Sequence, residues 1–180
     1  SVASRGLGDV YKRQIYNYVE LREELKGLGY TFHTEGDGEP IVVGYHHWGK
    51  DVVNHLRGMF GIVIWDTHTK TMFAARDQFG IKPLYYATTE AGTVFASEMK
   101  CILEMADEIG LELNLDRRAI EHYVDLQYVP EPESLHANIR RVESGCTVTL
   151  RPGEDVVAER YFKPRFPVPV SYTHLRAPET

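Results

Sequence analysis

The residues of this sequence that could do chemistry are few and scattered. Asp37 stands between Gly36 and Gly38, just ahead of a helix opened by Pro40. A carboxylate at the mouth of such a loop can pair with an ammonium group through charge-assisted hydrogen bonds. On residues alone, an Asp between two glycines is more simply a turn residue or a helix cap. Cys101 and Cys146 are the two thiols of the chain. Cys101 falls in an apolar helical pattern with Ile102 and Met105, and neither cysteine has a His-rich neighbourhood. Both are therefore expected as core thiols behaving as small hydrophobes, not as nucleophiles. His46, His47 and His55 invite a metal, but adjacent helical residues point about 100° apart, so solvated or capping roles are expected and no metal is. The glycines at 36, 38 and 80 do not open a phosphate-binding helix after a strand, which argues against a nucleotide role.

The elements that must position these residues are legible from periodicity. Asn17 can cap a helix, with Glu20 completing a capping box and Tyr16 stapling against Leu21. Tyr18, Leu21, Leu25 and Leu28 then share one face, and Glu20, Arg22, Glu23, Glu24 and Lys26 are expected in water. A second helix from Pro40 carries Ile41, Val42, Tyr45 and Trp48 as its apolar face, and Val52, Val53 and Leu56 continue the pattern. Residues 59–65, Met-Phe-Gly-Ile-Val-Ile-Trp, are apolar at odd and even positions, which predicts a strand covered on both faces. Residues 71–76 read as the returning strand, and 84–87 with 93–96 as a hairpin. Helices are expected at 99–105 and again after Asp116, where Ile120, Tyr123, Val124 and Gln127 share a face. The stretch after Pro130 reads as irregular. A last hairpin pairs 147–150 with 156–162, turning at Pro152-Gly153. Helices, then buried strands, then helices again predict an α+β layered domain.

Composition bounds the function. A chain of 180 residues with 43% hydrophobic side chains suits one globular domain. With 20 basic and 26 acidic residues the net charge is −6 and no single-sign block stands out, which argues against a nucleic-acid surface built from clustered Lys and Arg. The longest apolar run is far short of the roughly 20 residues a membrane span needs. A cytoplasmic protein is expected, with two cysteines too few for a disulfide framework.

Four stretches then narrow the reading. They are Ile15-Tyr16-Asn17 with residues 19–25; Gly58-Met59-Phe60 with Trp65-Asp66 and Ala75-Arg76-Asp77-Gln78-Phe79-Gly80-Ile81-Lys82-Pro83-Leu84-Tyr85-Tyr86; Phe95-Ala96-Ser97-Glu98-Met99-Lys100; and Tyr128-Val129-Pro130-Glu131-Pro132 with Ile139-Arg140-Arg141. From residue 15 to about 166 the chain resembles the class II glutamine amidotransferase domain of glutamine-hydrolysing asparagine synthetases. That resemblance implies the N-terminal-nucleophile hydrolase fold, a four-layer αββα sandwich, here incomplete at its N-terminus. It implies L-glutamine as substrate and places Asp37, with Gly36, where the α-ammonium of glutamine binds. Arg76-Asp77, a catalytic pair by composition, is implied to be a structural ion pair.

In that family an N-terminal cysteine attacks the glutamine amide, and an Asn-Gly pair holds the oxyanion. Here the positions that would read Asn-Gly-Glu are Lys12, Arg13 and Gln14, and about seventy residues of fold would precede them. The resemblance therefore implies a fragment with no catalytic residues of its own, inactive alone and needing no cofactor. Its parent would be a ligase whose C-terminal synthetase domain uses ATP and Mg, with a homodimer as a further implication. Residues 1–14 read as non-native, adapter-like sequence; 167–180 read as an extended tail, with 170–180 again non-native. Two alternatives stay open: the glutaminase domain of another class II amidotransferase, serving purine or amino-sugar synthesis, and a non-catalytic scaffold with the same fold.

Overall fold

Three layers of apolar contact arise because each strand offers alternate side chains to opposite faces. In the computed structural model, residues 14–165 are described. In chain order the elements are α1 (Tyr18–Gly27), α2 (Gly38–Trp48), a 3-10 turn (Gly49–Asn54), β1 (Gly61–Asp66), β2 (Thr71–Arg76), β3 (Tyr85–Thr89), β4 (Gly92–Ala96), α3 (Met99–Glu104), α4 (Ala106–Ile109), α5 (Arg117–Leu126), β5 (Arg140–Arg141), β6 (Cys146–Leu150) and β7 (Val157–Arg160). One antiparallel sheet has the order β1-β2-β6-β7 and the other β4-β3-β5. Most of the adapter-like ends and the extended tail expected from the sequence lie outside the described residues.

Along β2, Phe73 and Ala75 join Leu21 and Leu25 of α1, Ile41 of α2, and Val52, Val53 and Leu56 in the first core. Ala74, between them, points the other way and meets Leu84, Val142 and Val148, with Tyr86 and Phe95 of the second sheet packed alongside. Ala87 of β3 faces outward from that interface, onto Ile102 and Ala106 of α3 and α4. Helices, sheet, sheet, helices: the four-layer αββα arrangement follows from these alternations. No helix among the described residues is long and apolar enough to cross a membrane.

Several local expectations are corrected. β1 is not covered on both faces: Ile62 and Ile64 pack on the first core, whereas Val63 and Trp65, on the side of Ala74, are 40% and 47% exposed. Among the described residues β1 and β4 are edges of their sheets. The Asn17 capping box does not form. Its side chain instead accepts from Arg57 N at 2.8 Å and donates to His55 O at 2.9 Å, tying α1 to the end of the 3-10 turn, and Tyr16 lies largely in solvent. On α2, Val42 is exposed and Gly44 takes the inward place. A Cβ at Gly44 would come within 2.9 Å of Val52.

Candidate functional site

The segment leading into α1 is extended: Ile15 bridges Gly58, Tyr16 N donates to Arg57 O, and Met59 N donates to Gln14 O. Gly58 permits this approach, because a Cβ there would stand 2.0 Å from the Gln14 carbonyl. Asp37, at the start of α2, sits directly on this segment. Its Oδ2 accepts from the N–H of Gln14 at 3.0 Å and of Ile15 at 3.3 Å, and does not cap α2. Oδ2 thus fixes backbone, and Oδ1 makes no hydrogen bond among the described residues.

The loop carrying Asp37 is held from two sides. Glu39 folds back to accept from His33 N, Thr34 N and the Thr34 hydroxyl. The Thr34 hydroxyl first and the His33 N–H next pull its carboxyl below the ordinary value, since both bond the charged form. Arg22, expected in water, is buried instead: it donates to the Gly36 carbonyl at 3.0 Å and to Glu35 at 3.1 Å, with its guanidinium over the Phe32 ring. Gly36 thus serves through its backbone carbonyl. Gln14 also forms one wall of a cleft of about 540 Å³, between the edge strands β1 and β4, with Gly61, Val63, Leu84, Phe95 and Glu98 around it.

A second cluster is structural. Arg76, buried at the end of β2, donates from Nε to Lys82 O, from Nη2 to Gly80 O, and from Nη1 to Val142 O and the Glu131 carboxylate. Glu131 accepts in addition from the Ser144 N–H and hydroxyl, both at 2.9 Å. Asp77 accepts from four backbone N–H groups, those of Phe60, Phe79, Ile81 and Lys82. Gly80, at φ +63°, lies so close that a Cβ would meet Ser144 Oγ at 2.2 Å. Arg76 and Asp77, expected as an ion pair, do not pair with each other: Arg76 takes Glu131 and backbone carbonyls, Asp77 takes backbone N–H groups, and together these bonds pin the 77–82 and 129–145 loops.

Burial raises the Glu131 carboxyl pKa, but the Ser144 N–H and hydroxyl and then Arg76 outweigh it, leaving a net shift below 4.5. A depressed carboxyl pKa contributes stability that is full above the unfolded value and lost as pH falls through the folded one. Thermal midpoints should therefore decline as pH drops below 4.5, and Glu131→Gln should flatten part of that slope. Scanning both proteins between about pH 3 and 6 checks this; equal slopes would refute it.

The cysteines divide. Cys146 is buried on β6, and burial pushes its thiol pKa up, holding it neutral. Cys101, expected in the core, is exposed, because α3 turns Ile102 inward and Cys101 is one helical step away. A maleimide should modify Cys101 in the native protein and Cys146 only on unfolding; peptide mass spectrometry distinguishes them, and native labelling of Cys146 would contradict the assignment. The histidines do not converge: His47 meets the Tyr30 hydroxyl at 3.1 Å, and His55 stacks on Trp48 at 3.9 Å. No metal-binding group of side chains occurs among the described residues.

Comparison with known proteins agrees with this architecture. A family model described as glutamine amidotransferase domain matches residues 4–162. A Mycobacterium tuberculosis (strain ATCC 25618 / H37Rv) protein, named provisionally as a glutamine-hydrolyzing asparagine synthetase, is 53% identical over 159 residues, covering 87% of this chain and 24% of that protein. Asparagine synthetase (glutamine-hydrolyzing) 1 of Bacillus subtilis (strain 168) is 41% identical over 157 residues, with the same 87% and 24% coverage. The chain thus spans about a quarter of the length of these relatives. Among solved structures, the glutamine phosphoribosylpyrophosphate amidotransferase from B. subtilis complexed with ADP and GMP superposes with a TM-score of 0.57 at 21% identity, covering 83% of this chain and 28% of that one. That likeness is one of fold.

Proposed function

The chain belongs to the glutamine amidotransferase domain family, and on that premise we propose that it forms part of the glutamine-hydrolysing domain of an ATP-dependent asparagine synthetase. The observation that carries this reading is the continuous likeness, at 53% and 41% identity, to relatives bearing that name. In the intact protein a cysteine thiolate adds to the side-chain carbonyl carbon of glutamine. The C–N bond breaks, the nitrogen leaves as ammonia, and water then cleaves the thioester to glutamate. The ammonia is consumed by aspartate that ATP has activated as an adenylate, giving asparagine, AMP and pyrophosphate. We place this activity in the cytoplasm.

The share of this chain is substrate placement. Oδ2 of Asp37 is spent on the Gln14 and Ile15 N–H groups, and Oδ1 pairs with the α-ammonium of glutamine. Gly36, held by Arg22, keeps the Asp37 loop in place. Magnesium and ATP are assigned, on the same reading, to the remainder of the intact protein. Of the two thiols within the 180 residues, Cys146 is buried and neutral, and Cys101 lies outside the cleft lining. The isolated chain is therefore expected to release no glutamate from glutamine.

Asp37→Ala in the intact enzyme tests the placement. Loss of a charge-assisted contact should raise KM for glutamine roughly 10–100-fold, while synthesis from free ammonia stays at the parental rate. An unchanged KM would remove Asp37 from the substrate site.

A further inference from the structure

α5 is the helix least embedded in its own domain. Its residues divide into a polar half, with Arg117, Arg118, Glu121, His122 and Asp125, and an apolar half, with Ala119, Ile120, Tyr123, Val124 and Leu126. A surface helix ordinarily turns such an apolar stripe to the core. Here only Ala119 is buried, while Tyr123 and Val124 are 50% and 66% exposed and Tyr128, just beyond the helix, extends the apolar surface.

The helix is nonetheless held at both ends. Asp116 caps it by accepting from Arg118 N and Ala119 N, and Asp116 N donates to Leu135 O. After it, Val129 is buried and its carbonyl accepts from Arg141, and Glu131 joins Arg76. A bare apolar face on a firmly placed helix is the form of a prepared contact surface.

The path of the chain indicates what covers it. The Tyr161 hydroxyl donates to Arg76 O, Phe162 N donates to Gly145 O, and the Phe162 ring meets Phe79 edge-on. The last described residues therefore lie beside Arg76, the residue that also binds Glu131, three positions after Tyr128. The relatives are about four times as long as the stretch they share with this chain, since that stretch is 24% of them. We propose that, in the intact protein, the apolar face of α5 formed by Ile120, Tyr123 and Val124 seats the polypeptide that follows residue 165. On the functional reading above, on which this rests, that polypeptide is the ATP-using part. Its docking surface presents apolar side chains to the stripe.

The test uses the intact protein carrying Val124→Cys or, as a solvent-exposed reference on the β3–β4 turn, Glu90→Cys. Maleimide labelling is followed peptide by peptide. Cys at 124 should react roughly tenfold or more slowly than Cys at 90, at all protein concentrations. Equal rates would overturn the proposal. So would protection that is lost on dilution together with a dimer, because the occupant would then be a second copy. Assaying the same preparations for glutamine-dependent asparagine formation separates the two ideas: absent synthesis with position 124 still protected fails the functional reading, and full synthesis with position 124 reactive fails the docking surface.

Discussion

Asp77→Ala is expected to cost the domain about 4 kcal/mol, from the loss of four carboxylate-bound N–H groups in and around a buried site. The Phe60 N–H lies in the core side of the cluster, and its bond to Oδ2 is 3.2 Å; Lys82 N donates to the same oxygen at 2.9 Å. Oδ1 takes Phe79 N and Ile81 N. Phe79 and Ile81 have exposed side chains, so water can partly replace the carboxylate there, whereas Phe60 has no such relief. That asymmetry keeps the estimate below four full unsatisfied-donor penalties. Asp77→Asn preserves shape but aims an amide at N–H donors, and should cost about half as much. Urea unfolding of the intact protein, comparing midpoints at unchanged slope, measures both. A loss below about 1 kcal/mol for Ala would show that the 77–82 loop is held by something else.

Arg76→Met should be comparably severe, at about 3–5 kcal/mol, the range seen when one partner of a buried pair is removed. The variant strands the Glu131 carboxylate beside the carbonyls of Lys82, Gly80 and Val142, which now lack their shared donor. Arg76→Lys should not rescue it, because one ammonium cannot reach acceptors arrayed around a planar fork. Glu131→Gln combined with Arg76→Met should lose less than the sum of the two single losses, since the second change removes the uncompensated charge. A double-mutant cycle reads this directly; strict additivity would mean that the ion pair itself contributes nothing.

Both predictions concern residues whose composition alone looks catalytic, and they show where sequence reading works. Residues 71–76 were legible as a strand, and in the structure Phe73 and Ala75 take one face and Ala74 the other, from which the layers follow. The strand at 59–65 misled because its unbroken apolar run implies two covers, and only the helical side of β1 is covered among the described residues. Arg22 misled by chemistry: its helical position predicts solvent, but the 32–36 loop folds over it, a long-range contact that periodicity does not encode. Asn17 has the residue type of a cap and is drawn away by Arg57 and His55. Asp37 was legible as a loop carboxylate, but its grip on Gln14 and Ile15, 23 and 22 positions away, was not. Glu131 and Ser144 were invisible as an Arg76 support, because the link to Arg76 spans 55 residues.

The proposed function makes this domain part of an enzyme that moves glutamine nitrogen onto aspartate. The most direct measurement gives the intact protein glutamine labelled with nitrogen-15 in its amide, together with aspartate, ATP and magnesium, and follows the label by mass spectrometry. Label is expected in the asparagine side-chain amide, with one AMP formed for each asparagine. Label in another amino product, or glutamine left unconsumed while the protein is folded, would contradict it.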